Sequence, residues 1–169
     1  KHARYIVYSK FSGGNEASQL YRKDLDELGS EVLLTNPDER HTFHAWNRFA
    51  STMIYSSVPL DRTAKGGSRK QVSTSLREID PLRIDSSREI AQLPGVGWFA
   101  GEVSPDGRFI VVNRYISANE LEVWLLDLAS GGRQRLLPKI DDKEPAIHFA
   151  GEFLPDQSGL VVLTDRHGE

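Results

Sequence analysis

Three sets of residues in this 169-residue chain have types and spacings that could do chemistry. The first is histidine: His41 and His44 lie three residues apart, and His148 stands at the start of a later, similar segment. Imidazole binds metals and moves protons near neutral pH, so the spacing raises a metal site. The surrounding run, Thr42-Phe43-His44-Ala45-Trp46, reads as a strand, however. Side chains alternate across a strand, so two rings three residues apart face opposite sides, and neither metal nor cofactor is expected. The second set is Glu102 and Glu152, which occupy the same place in two similar segments. They could aim carboxylates into a shared channel and hold the amino group of a peptide; the competing reading leaves each solvated or bonded to a neighbouring sheet. The third set is a group of polar loop residues: Asn15, Glu16, Arg62, Arg69, Asn119 and Glu120. Asp24 and Asp127, each next to the end of a strand-like run, read as turn-initiating residues that bond nearby backbone, not as catalytic acids.

The elements that must position these residues are repeats. Phe99-Ala100-Gly101-Glu102 returns as Phe149-Ala150-Gly151-Glu152, 50 positions on. At the same offset Pro105-Asp106 returns as Pro155-Asp156, and Val111-Val112 as Val161-Val162. Repeats of about 20–50 residues signal stacked supersecondary units. Ser104-Pro105-Asp106-Gly107 has turn chemistry, with Pro presetting φ and Gly accepting positive φ. The flanking runs 98–103, 108–113, 121–128 and 133–137 are rich in β-branched and aromatic residues and read as strands, with 116–120 a polar connection. Four antiparallel strands joined by tight turns make one propeller blade.

The same reading extends along the chain. The units run approximately over 4–36, 42–93, 97–137 and 147–165. In the second unit, Asn47-Arg48-Phe49-Ala50 replaces the Pro-Asp-Gly turn, and a long loop, 58–73, carries Gly66-Gly67-Ser68. The chain opens on a second strand and stops after one. The expected fold is therefore all-β, a partial β-propeller of about three four-stranded antiparallel blades in a permuted frame. Chain direction alternates through a blade, so loops after second strands and loops after fourth strands share a face. That grouping places Asn15, Glu16, Arg62, Arg69, Asn119 and Glu120 together as candidate substrate or interface loops. Trp46, Trp98 and Trp124 are expected between blades, where aromatic rings bury large areas.

Composition narrows the partners. Asp and Glu outnumber Lys and Arg by 24 to 21, a net charge of −3, which argues against general nucleic-acid or membrane-surface binding. No apolar run approaches the length of a membrane span. With no cysteine, disulfides and thiolate chemistry are excluded, and the compartment is left undetermined.

Taken together, Ser104-Pro105-Asp106-Gly107-Arg108, Tyr115-Ile116-Ser117-Ala118-Asn119-Glu120 and Trp124-Leu125-Leu126-Asp127-Leu128 resemble the N-terminal propeller of bacterial serine peptidases of the prolyl oligopeptidase family, of the acylaminoacyl-peptidase or dipeptidyl-peptidase type. Gln19 to Leu25 followed by Leu33-Leu34-Thr35-Asn36, and Met53 to Ser57 with its long loop and Ile79-Asp80-Pro81, are similar to earlier blades of that family. The resemblance implies a propeller that covers an α/β-hydrolase domain, its C-terminal partner in the parent protein, and restricts access to short peptides. Catalysis there requires a Gly-x-Ser-x-Gly elbow. The nearest run, Gly66-Gly67-Ser68-Arg69-Lys70, lacks the second glycine, so this chain alone is not expected to hydrolyse peptides. The Ser-Pro-Asp-Gly turn is shared with TolB-type propellers, which implies an alternative: a protein-binding scaffold with no hydrolase domain. A propeller lyase is a third reading. Exposed blade edges would also template pairing with a second copy.

Overall fold

The computed structural model describes residues 3–11, 17–26, 30–60, 72–142 and 144–166. Asn15, Glu16, Arg62 and Arg69, with the Gly66-Gly67-Ser68 run, lie outside the described residues.

Every regular element among the described residues is a strand, and the strands form four antiparallel sheets in chain order. The first sheet contains β1 (Tyr5–Phe11), β2 (Ser18–Asp24) and β3 (Glu31–Leu33). The second contains β4 (Glu39–Asn47), β5 (Thr52–Pro59), β6 (Ser73–Asp80) and β7 (Arg83–Pro94). The third repeats that order with β8 (Trp98–Val103), β9 (Phe109–Ser117), β10 (Glu120–Asp127) and β11 (Arg133–Leu137). The fourth pairs β12 (His148–Phe153) with β13 (Leu160–Thr164). Each four-stranded sheet is an up-and-down meander, the topology of a propeller blade. The strands β4, β8 and β12 are the inner strands, and each contacts the next in series.

Strand alternation builds the seams between blades. Ile110 and Val112 of β9 pack with Ile54, Leu76, Ile90 and Leu93 of the second blade, in a cluster that also holds Trp98, Leu126 and Leu128. Val111, between them in sequence, points the other way and joins Val123 and Ala150 toward the fourth sheet. On the second blade Ile54 faces the third sheet, while Met53 and Tyr55 meet Leu20 and Leu34 of the first. These strands are apolar on both faces because the second and third sheets are covered on both sides, as in stacked parallel-sheet cores.

The turns keep the repeat even where the sequence drifts. Gly107 N–H donates to Ser104 O at 2.8 Å, and Gln157 N–H to Leu154 O at 2.9 Å. Gly107 takes φ 74°, and Gln157, 50 residues on, takes φ 62° without being glycine. Asn47 closes the divergent turn by accepting from Phe49 N–H at 3.2 Å and Ala50 N–H at 3.3 Å, an Asx cap in place of proline. Asp127 likewise accepts from Ala129 N–H at 3.0 Å and Ser130 N–H at 2.9 Å, whereas Asp24 pairs with Arg22 at 3.1 Å. One expected loop is shorter than anticipated: Ile116 and Ser117 stay in β9, Ser117 pairs with Glu120, and only Ala118 and Asn119 form the turn.

Candidate functional site

Each inner strand carries a β-bulge. In β4 the register shifts between Phe43 and Ala45, leaving His44 unopposed. In β8 it shifts between Ala100 and Val103, and in β12 between Ala150 and Glu152, which leaves Gly151 as the extra residue. A bulge bends its strand and re-aims side chains. Here it also needs small residues. A Cβ on Gly101 would stand 2.8 Å from Val111 Cγ1 and 3.2 Å from Gly151 O, so glycine lets β8 and β12 approach.

Beyond the bulges the inner strands end together on a cavity of about 1130 Å³. Glu102 and Glu152 both line it, as do Phe43, Trp46, Phe49 and His44. Both carboxylates are exposed. Glu102 Oε2 accepts from Phe153 N–H at 3.1 Å, which sets its carboxylate beside the residue that follows Glu152. Trp46 is 40% exposed, unlike Trp98 and Trp124, whose rings meet edge to face at 5.7 Å in the seam between the second and third blades. Trp46 thus departs from the buried packing expected of all three tryptophans. Phe43 lies 5.8 Å from it, ring centre to ring centre.

The histidines separate as alternation requires. His41 is buried, with Nε2 2.8 Å from Asn36 O and its ring against Tyr55, on the side of the first blade. His44 lies in the wall of the cavity and of a smaller one, about 430 Å³, that Trp98, Phe99 and Tyr115 also line. His148 is buried with Nδ1 3.1 Å from Thr164 Oγ1. Among the described residues no three His, Asp or Glu side chains gather closely enough to hold a metal ion. Burial pushes the His44 pKa down to about 4, so its ring is neutral at pH 7. Burial also lowers that of His41, more than the Asn36 carbonyl raises it.

Two further carboxylates were not singled out from the sequence. Glu78 of β6 is buried and accepts from Asn47 Nδ2 at 3.1 Å, from Thr52 Oγ1 and from Arg88. Glu122 of β10 accepts from Trp124 Nε1 at 2.9 Å and from Arg135 Nη1 at 3.2 Å, with Arg114 at 3.6 Å. These are structural clamps: each buried charge has a guanidinium partner. Asn119 and Glu120, the expected loop residues that are described, do not line this cavity. Asn119 is exposed in its two-residue turn, its N–H donating to Ser117 Oγ at 3.3 Å, and Glu120 opens β10 beside it.

No protein-family model and no curated protein matches the sequence. Solved structures do. TolB from Acinetobacter baumannii superposes with a TM-score of 0.57 at 15% identity, over 94% of this chain and 34% of its own. Prolyl oligopeptidase B from Galerina marginata, bound to a 25mer macrocyclization substrate, superposes with a TM-score of 0.60 at 14% identity, over 96% of this chain and 24% of its own. This chain therefore spans about a third and a quarter of those proteins. At such identity the likeness speaks for architecture, and with the stacked sheets it makes this an all-β chain with the β-propeller fold of TolB and of the prolyl oligopeptidases.

Proposed function

We propose that the chain is the gating, substrate-selecting propeller segment of a serine peptidase of the prolyl oligopeptidase family, without catalytic residues of its own. The observation that carries this reading is the cavity where the inner strands of three successive blades end, walled by exposed aromatic rings and carboxylates. A rigid ring of sheets can pass an extended peptide and exclude a folded protein. The repeat pattern through Ser104–Arg108 and Trp124–Leu128 supports the same family. The 169 residues hold no Gly-x-Ser-x-Gly elbow; under this reading nucleophile, base and oxyanion donors belong to a hydrolase domain elsewhere in the parent.

The test is made on the full-length protein that contains this chain. It should carry an elbow downstream, label with a serine-directed fluorophosphonate, and cleave short peptides in preference to folded proteins. Absence of both elbow and labelling would reject the reading. The similarity to TolB favours a second one, a scaffold that docks partner proteins through the same surface. Under it, the full-length protein consists of further repeats and binds protein without cleaving it.

A further inference from the structure

Resting on the peptide-binding reading above, the charges in the cavity carry a more specific conclusion. Glu102 and Glu152 come from equivalent positions: Glu152 opposes Val161, and Glu102 stands 50 residues before it in the strand paired with Val111's strand. Neither makes an ion pair among the described residues, although Glu78 and Glu122 are each held by arginine. The strand bearing Glu152 supplies the N–H that fixes Glu102, and both glutamates line one cavity. Two exposed carboxylates lining one concave surface give it a negative potential, which draws a cation.

The other wall is aromatic. Trp46 and Phe43 are 40% and 37% exposed, with ring centres 5.8 Å apart, and ring faces attract a weakly hydrated organic cation. His44 lines the same cavity, its buried Nε2 has no hydrogen-bond partner among the described residues, and its neutral ring adds no competing charge. Arg48 is the one cation in the described wall, and it forms no ion pair with either glutamate. We propose that this cavity binds the guanidinium or ammonium group of a basic side chain in a peptide segment, between the Glu102 and Glu152 carboxylates and the exposed Trp46 ring.

The test uses the 169-residue chain and a pentapeptide of alanines with a central arginine, N-acetylated and C-amidated so that the side chain is its only charge. Binding is followed by calorimetry and by the indole fluorescence of Trp46, assigned with Trp46→Phe. Replacing the arginine with citrulline, its uncharged isostere, should weaken binding roughly tenfold or more, and so should Glu152→Gln. Arg48→Ala should strengthen it, and raised salt should weaken it. A lysine peptide binding comparably assigns the recognition to charge; a clear arginine preference assigns it to the planar guanidinium. Equal binding of arginine and citrulline peptides overturns the inference while leaving peptide binding, and so the proposed function, intact. Tighter binding of an unblocked alanine peptide also overturns it, in favour of an α-amine site. If Glu152→Gln alters the fold, the citrulline peptide and the Arg48→Ala variant still decide.

Discussion

The seam between the second and third blades and the seam between the third and fourth are built differently. The first is a continuous apolar layer, with Ile54, Leu76, Leu93, Trp98, Ile110 and Leu126 all buried. The second has a smaller buried centre, Val111, Val123 and Ala150. It is keyed by hydrogen bonds instead: Asn113 Nδ2 donates to Ala150 O at 2.9 Å, and Asn113 Oδ1 accepts from Ala150 N–H at 3.0 Å. Apolar burial is non-directional and supplies stability, whereas a paired amide specifies one register. The contrast teaches that the fourth sheet is placed by polar geometry at the side where Glu102 and Glu152 line the cavity.

Breaking each seam separately tests this. Leu126→Ala removes a fully buried side chain from the apolar seam and should cost about 2–5 kcal/mol in a denaturant titration. Asn113→Leu leaves the Ala150 N–H and C=O buried and unpaired and should cost about 1–3 kcal/mol. Its effect should be local, with faster amide exchange in β12 and unchanged exchange in β5 and β6. Equal acceleration in all three strands would mean that the seams are not independent. Gly101→Ala forces a Cβ against Val111 and the Gly151 carbonyl, for a loss of about 1 kcal/mol. That substitution should also weaken any ligand that reads both glutamates, because β8 and β12 must separate.

The smallest effect at neutral pH concerns the histidines. His44 is held at about 4 in the folded chain against an ordinary 6.5, so the unfolded chain takes up the proton first. Its contribution to stability is present above pH 6.5 and lost as pH falls toward 4, and His41, also lowered, adds in the same direction. His44→Gln should flatten the loss of stability between those values and change nothing at pH 7.5. A steeper loss in the variant would refute the assignment.

Much of the fold was legible because it is local. Trp98–Val103 and Arg133–Leu137 are strands with the bounds that their residue types suggested. The Asp127 turn forms through backbone bonds to its own neighbours, as its position implied. Strand ends were less legible. β9 runs on to Ser117 because its polar end is held by pairing with β10, a partner that composition does not reveal. The cavity was half legible: Glu102 and Glu152 stood out by repetition, while Trp46 did not, because burial on one strand depends on what the next sheet covers.

From the order of residues alone followed the stacked antiparallel units, the Pro-Asp corners and the opposite facing of His41 and His44, since turn preference and strand alternation act over a few bonds. Tertiary structure decided which carboxylates are clamped, Glu78 and Glu122, and which stand open, Glu102 and Glu152. The bulges in β4, β8 and β12 lie where these strands reach the cavity, and a bulge exists only relative to the strand it fails to match.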